Sequence, residues 1–197
     1  MKRLILLCAL VIFFGTGAFA QGLSFGLKGG LNLSNVDASG GGLSLDTKTL
    51  VGFHLGGYFT AMLTGNLGIQ PELLYSTQGD VYDILGSSYT THLNYITIPV
   101  LLRYNINDMF SFHAGPQLGL LTSANVVSGN TTTDVKDQTN GTDFSLAFGG
   151  TIDLPMKINL TARYCLGLSD IDKNSNSTTK TSNFQLSVGF KLFGVNE

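Results

Sequence analysis

The stretch LSFGLKGGLNLS, residues 23–34, decides the fold. Leu23, Phe25, Leu27, Leu31 and Leu33 fall on one parity, and Ser24, Lys28, Asn32 and Ser34 on the other. Such period-two alternation marks a strand with one apolar and one polar face. The pattern recurs at 51–62, 67–78, 93–104, 109–121, 144–154, 158–168 and 183–193, which predicts eight strands. The chain is 43% hydrophobic and only 12% charged. That composition excludes a disordered chain and a nucleic-acid binder, which need high charge or a basic surface.

The connections alternate strictly in length. Segments 35–50, 79–92, 122–143 and 169–182 are long and rich in Ser, Thr, Asn, Asp and Gly, whereas 63–66, 105–108 and 155–157 are short. Short turns on one side and long loops on the other are the pattern of a transmembrane barrel, the turns being periplasmic. The expected fold is therefore all-β: an eight-stranded antiparallel up-and-down transmembrane β-barrel with four long outer loops and three short periplasmic turns.

Charge supplies the independent argument. The apolar parity contains Phe53, Leu55, Ile69, Leu73, Ile96, Ile98, Val100, Phe112, Leu118, Leu146, Phe148, Leu160, Tyr164, Leu186, Val188 and Phe190, and no charged residue. The strand charges Lys28, Glu72, Arg103, Asp153, Arg163 and Lys191 lie on the opposite parity, with His54, Gln70, His113, Gln117 and Gln185. A charge facing lipid near mid-membrane costs about 2–4 kcal/mol, while a lumenal charge can pair or meet water. A soluble sandwich would turn its apolar face inward. Glycines 26, 30, 52, 56, 68, 115, 119, 149, 167 and 189 share the lumenal parity and make room for large inward side chains. Phe59, Tyr104 and Phe110 fit an inner aromatic girdle, and Phe53, Tyr75, Phe144 and Phe184 an outer one. Pro71, Pro99 and Pro116 fall inside strands. Each deletes a ladder donor, so bulges or earlier strand ends are expected there.

The N-terminus reads as an export signal. Lys2 and Arg3 precede the apolar run Leu4–Phe14, and Ala18-Phe19-Ala20 is a small-x-small cleavage site. The run is shorter than the roughly 20 residues of a membrane anchor. The expected organisation is a signal peptide at 1–20 and one outer-membrane β-barrel domain at 21–197. After removal of the signal only Cys165 remains, so no intramolecular disulfide forms.

The segments YITIPVLLRY (95–104), FSFHAGPQLGLL (110–121), FSLAFGGTIDL (144–154), LTARYCLGLSDI (160–171) and FQLSVGFKLF (184–193) resemble the outer-membrane β-barrel domain of porin-family (PorT-like) proteins typical of Bacteroidetes. The resemblance implies residence in the outer membrane and says little of activity. The last strand, with Gly189 and Phe193, resembles the signal read by the barrel assembly machinery, though Gly194–Glu197 trail beyond the aromatic.

About eight strands enclose an interior that side chains just fill. Lys28, His54, Glu72, Arg103, His113, Asp153, Arg163 and Lys191 are accordingly expected to form a lumenal polar core of mutually neutralising groups rather than a pore lining. The sequence points to no catalytic residues, cofactor or metal ligands. No G-x-S-x-G or H-E-x-x-H motif occurs. The segment Asp170–Asn176 opens like a calcium loop but has Ser175 at the sixth position and Thr181 at the twelfth, where glycine and glutamate belong. Cys165 reads as an inert lumenal thiol. The outer loops carry Asp37, Asp46, Asp80, Asp83, Asp134, Asp137, Asp143, Asp170 and Asp172 against Lys48, Lys136, Lys173 and Lys180, a net of −5. The partners expected are outer-membrane lipid, the assembly machinery, and an extracellular protein or glycan met by these acidic loops. The leading function is a non-enzymatic outer-membrane barrel, structural or binding through its loops. The alternatives are a narrow passive channel and a barrel hydrolase drawing on His54, His92, His113, Ser87, Ser88, Asp80 and Asp83.

Overall fold

A computed structural model describes residues 22–39, 47–84, 87–129, 131–170 and 178–194. The segment 1–20, expected to be a signal peptide, lies outside these residues. The strands are β1 (Leu23–Ser39), β2 (Thr47–Met62), β3 (Leu67–Ile84), β4 (Ser87–Asn105), β5 (Phe110–Ser128), β6 (Thr131–Asp134), β7 (Thr142–Asp153), β8 (Ile158–Gly167) and β9 (Thr178–Gly194). Eight of them pair antiparallel with their sequence neighbours, and β1 closes the ring on β9 from Ser24↔Gly194 to Ser39↔Thr178. The short β6 hangs on the outer end of β5 and takes no part in the ring. Closure leaves no edge within the membrane, as a hydrocarbon solvent requires.

The apolar parity faces outward along every strand. Phe53, Leu55, Leu73, Val100, Phe112, Leu186 and Val188 are exposed, while Lys28, His54, Glu72, His113, Arg163 and Gln185 on the other parity are buried. The girdle aromatics Phe59, Tyr104 and Phe110 at one end, and Phe53, Tyr75, Phe144 and Phe184 at the other, all face out. Glycine permits the tight coiling of the ring. A Cβ on Gly30 would run into the carbonyl of Leu186, and one on Gly149 into that of Ala162.

Two features depart from the sequence pattern. First, the strands run further outward than the alternation reaches. β3 and β4 stay paired to Ile84↔Ser87, so the segment 79–92 is a β-hairpin rather than a long loop. The third outer connection contains β6 and a 3₁₀ turn at Lys136–Gln138. Beyond the lipid both faces of a strand can be polar, so the backbone stays paired after the period-two contrast has faded. Second, the prolines neither bulge nor end their strands. Register shifts occur at Phe25/Gly26, Thr49/His54 and Asn94/Tyr95 instead. Beside the prolines the ladders skip rungs and resume in the same register. Between β3 and β4 the pairing passes from Pro71↔Val100 to Leu74↔Thr97, and between β4 and β5 from Pro99↔Gln117 to Leu102↔Ala114. The rest of each long ladder holds the register that the missing donors cannot.

Candidate functional site

The inward residues of eight strands converge in the lumen, and their chemistry changes with depth. Near the middle, Lys28 on β1, Glu72 on β3, and Arg163 on β8 meet across the barrel. The Arg163 guanidinium donates through both terminal nitrogens to Glu72, at 2.8 and 2.7 Å. Lys28 Nζ donates to the same carboxylate at 3.2 Å, and Gln70 Nε2 does so at 2.7 Å. Arg163 Nε donates to His113 Nε2 at 3.1 Å, so that nitrogen carries no proton. All three charged residues are at most 3% exposed. The forked guanidinium–carboxylate contact is the strongest kind of protein ion pair, and burial makes it depend on complete satisfaction.

Toward the periplasm, Arg103 pairs with Asp153 and also donates to Gln70 Oε1 (3.1 Å) and Asn105 Oδ1 (3.0 Å). Arg103, Asp153 and Asn105, with Tyr58 and Lys191, border an inner vestibule of about 380 Å³. Asn159 Nδ2 donates to the Tyr58 hydroxyl at 2.8 Å. The vestibule opens at the end of the short turns, and the Lys28–Glu72–Arg163 group lies beyond it.

Just outward of the charges, His54 Nδ1 donates to Asn32 Oδ1 (2.8 Å), and its Nε2 faces Ser187 Oγ at 2.7 Å. A hydroxyl, an imidazole and an orienting amide in series have the connectivity of a nucleophilic triad. Sequence reasoning missed this set, because Ser187 and Asn32 read as ordinary polar-face residues 133 and 22 positions from His54. Its surroundings are those of a structural chain. Asn32 Nδ2 also donates to Ser76 Oγ and to the carbonyls of Phe53 and Thr77, and Gln185 Nε2 donates to its Oδ1. His54 and Asn32 are 1% and 0% exposed, leaving a substrate no approach among the described residues. The other residues considered for hydrolysis give no second chain of this kind among the described side chains. His92 is exposed and faces outward, His113 is held by Arg163, and the side chains of Asp83 and Ser87 lie outside the described residues.

The outer lumen is different again. Leu93, Tyr95, Leu121 and Ala124 form a buried apolar cluster, with Val135 against it. A second cluster joins Leu101, Ala147 and Cys165, whose Sγ lies 3.7 Å from Gln117 Oε1. Asp143, beyond the outer girdle, accepts hydrogen bonds from Ser169 Oγ (2.6 Å) and Thr181 Oγ1 (3.0 Å). Asp80 and Asp143 are 6% exposed, so two of the nine loop aspartates belong to the inner wall and not to an acidic rim. Burial raises both carboxyls above their ordinary value, and the hydroxyls that bond them pull in the opposite direction.

A closed ring with a lipid-like exterior and a packed polar interior defines an integral membrane β-barrel. The chain belongs to the family described as "Outer membrane protein beta-barrel domain", whose sequence profile matches residues 19–173, and its place is the outer membrane. Among solved structures it is similar to Ail, the attachment invasion locus protein of Yersinia pestis, at 17% identity and a TM-score of 0.52, covering 87% of this chain and 99% of that one. The same protein in complex with the heparin analogue sucrose octasulfate gives a TM-score of 0.54 at 17% identity, with the same coverage. Neisserial surface protein A gives a TM-score of 0.54 at 13% identity, covering 87% of this chain and all of that one. These likenesses establish the shared fold. No protein with a curated description matches the sequence significantly.

Proposed function

We propose that the protein is a non-enzymatic outer-membrane barrel whose lumen is closed by its own side chains and whose outer hairpins meet partners. The observation that carries this reading is Glu72, gripped at mid-depth by Arg163 from the opposite wall and by Lys28 from two strands away. Lys28, His54, Glu72, Arg103, His113, Asp153, Arg163 and Lys191 then serve as a structural polar core. They fill the space a water column would need. Steady single-channel conductance of the refolded protein in planar bilayers tests the reading. Little or none is expected, and reproducible open channels overturn it in favour of the narrow-channel alternative. Failure of a fluorophosphonate probe to label Ser187 tests the absence of hydrolase chemistry.

The outer surface is the remaining place for function. Ail, which shares the fold, has been crystallised with a sulfated polyanion. The loops of this chain hold more aspartate than lysine, so a cationic protein or a glycan without sulfate suits them better. The strand motifs support a place among PorT-like proteins of Bacteroidetes. Cleavage after Ala20 and recognition of the β9 sequence by the assembly machinery complete the proposal. N-terminal sequencing of the protein from outer membranes checks the first, and assembly of a Phe193→Ala variant the second.

A further inference from the structure

On the lipid-facing surface an apolar hollow lies between β5 and β9. One cross-strand row there runs Phe112, Gly150, Ala162, Leu186, Leu31, each paired with the next. Gly150 and Ala162 lie side by side and leave a floor between tall neighbours. Phe112, 61% exposed, is one wall and Leu186 the other. Toward the outer side the tilted rings of Phe148 and Tyr164, 5.6 Å apart, close the notch. The result is a hollow of about 670 Å³, almost wholly apolar, reaching Phe110 and Ile106 at the periplasmic end. Below it, between the second and third periplasmic turns, a second hollow of about 560 Å³ has Asp108 and Lys157 on its border. Lys157 is presented by a turn in which it and Met156 both hold left-handed φ, at 66° and 67°, without a glycine.

We propose that these two hollows together hold one phospholipid of the periplasmic leaflet, with an acyl chain in the notch and an ethanolamine head at the turns. The notch runs obliquely across the apolar band and ends at Phe110 and Ile106 beside the periplasmic turns, so the chain enters from that leaflet. An acyl chain restores the dispersion contacts that Gly150 and Ala162 leave unmade. The floor is two strands wide at about 4.8 Å spacing, which suits one hydrocarbon chain better than a protein ridge. At head depth the border has both signs, with Lys157 and Asp108 on the turns and Asp153 and Lys191 on the lumenal side; Lys157 is placed for the phosphate and Asp108 for the ammonium. A head with both charges therefore fits, and a purely anionic glycerol head meets Asp108 unfavourably. The inference does not depend on a closed lumen, since the acyl chain lies on the outer wall and Asp153, on the inner border of the head hollow, is already paired with Arg103.

Native mass spectrometry of the folded protein in detergent tests it, with phosphatidylethanolamine and phosphatidylglycerol of the same chain composition. One ethanolamine lipid is expected to be retained, with an apparent affinity about tenfold above the glycerol lipid. Ala162→Phe fills the floor from a position that faces lipid, and binding should fall about tenfold while heat-modifiable mobility shows a folded barrel. Gly150→Val does the same by another route. Its added carbon would meet only its neighbours' atoms near 3.7 Å, in ordinary contact. Lys157→Gly removes the phosphate partner and relieves the left-handed backbone, so the protein should fold normally and bind the ethanolamine lipid more weakly. Asp108→Asn should erase the preference between heads. Equal retention by the filled variants, or equal affinity for the two lipids in the unaltered protein, overturns the proposal. So does a dimer that disappears on Ala162→Phe, which would assign the notch to a second copy of the chain.

Discussion

The centre of the lumen and its outer half are built from the same alternating strands, yet they are held together differently. At the centre, Lys28, Glu72 and Arg163 come from β1, β3 and β8, and Glu72 and Arg163 bond across 91 positions of sequence. Such bonds tie walls that share no ladder. In the outer half, Leu93, Tyr95, Leu121 and Ala124 belong to the adjacent strands β4 and β5, and among the described residues the carboxylate of Asp143 is bonded by hydroxyls alone. The Tyr95 hydroxyl and Asn183 Nδ2 find no partner there among the described residues. The centre therefore acts as a cross-brace for the whole ring, and the outer half as local packing. Loss of a central group should loosen the barrel globally, and loss of an outer group should be felt little beyond its own hairpin.

Glu72→Ala is the strongest way to break this contrast. It leaves two buried cations without their anion, and removing one partner of a buried pair costs about 3–5 kcal/mol. Unfolding in urea, followed by the mobility shift between folded and heated protein, should move to markedly lower denaturant. A loss below about 1 kcal/mol would mean that Arg163 and Lys28 find other acceptors. Next in size is Val100→Lys. Val100 is 45% exposed on the lipid face, and a lysine there costs about 2–4 kcal/mol near mid-membrane. Assembly in the outer membrane should fail or fall sharply. Efficient assembly would refute the register of β4, because a one-residue slip exchanges its faces.

How much of this was legible beforehand follows from where the contrast in polarity is strong. Inside the lipid the solvent itself enforces alternation, so the strand order, the outward set and the inward side of Lys28, Glu72 and Arg163 follow from parity. Parity gives a side of a strand but no angle around the ring. That Arg163 reaches Glu72 rather than Asp153 depends on the tilt and stagger of the closed barrel. Leu101 shows the same limit. It has lumenal parity, and polar company would be expected, yet it packs with Ala147 and Cys165 at 0% exposure. Beyond the lipid the signal weakens. The β3–β4 hairpin and β6 are rich in Thr and Ser, and nothing in their pattern separates a paired strand from a loop. The prolines misled for a related reason. A local rule about one missing donor gave way to ladders long enough to skip rungs and resume.

Tyr95→Phe sharpens the contrast from the outer side. The tyrosine is 1% exposed and its hydroxyl has no partner among the described residues, so removal relieves a desolvated group and leaves the ring in place. Stability should stay level or rise by up to about 1 kcal/mol. An equally sized change at the centre, such as Glu72→Gln, should instead lower it, since the amide cannot neutralise two cations. A clear loss on Tyr95→Phe, measured in the same urea titration, would show that the hydroxyl is bonded after all and that the outer half is braced like the centre.

The smallest expected effect concerns pH and Asp143, which lies just beyond Phe144 of the outer girdle and so outside the spanning segment. Burial raises its carboxyl above the ordinary 3.8, while the Ser169 and Thr181 hydroxyls act to lower it. A folded-state value above the unfolded one means that the folded protein binds the proton more tightly. The resulting stabilisation is fully present below the unfolded value and is lost as pH rises through the folded value. Its window therefore begins near 3.8 and extends upward to the raised value. Comparison with Asp143→Asn isolates this contribution, because the amide keeps the size and cannot titrate. As pH is lowered through the window, the unaltered protein should gain on the variant by about 1–3 °C in unfolding midpoint. The central charges respond equally in both proteins and cancel from the difference. A constant difference across the window would show that the two hydroxyls offset the burial completely. A gain in the opposite direction would place a cationic partner beside Asp143 and give the outer half a charge pair of the kind found at the centre.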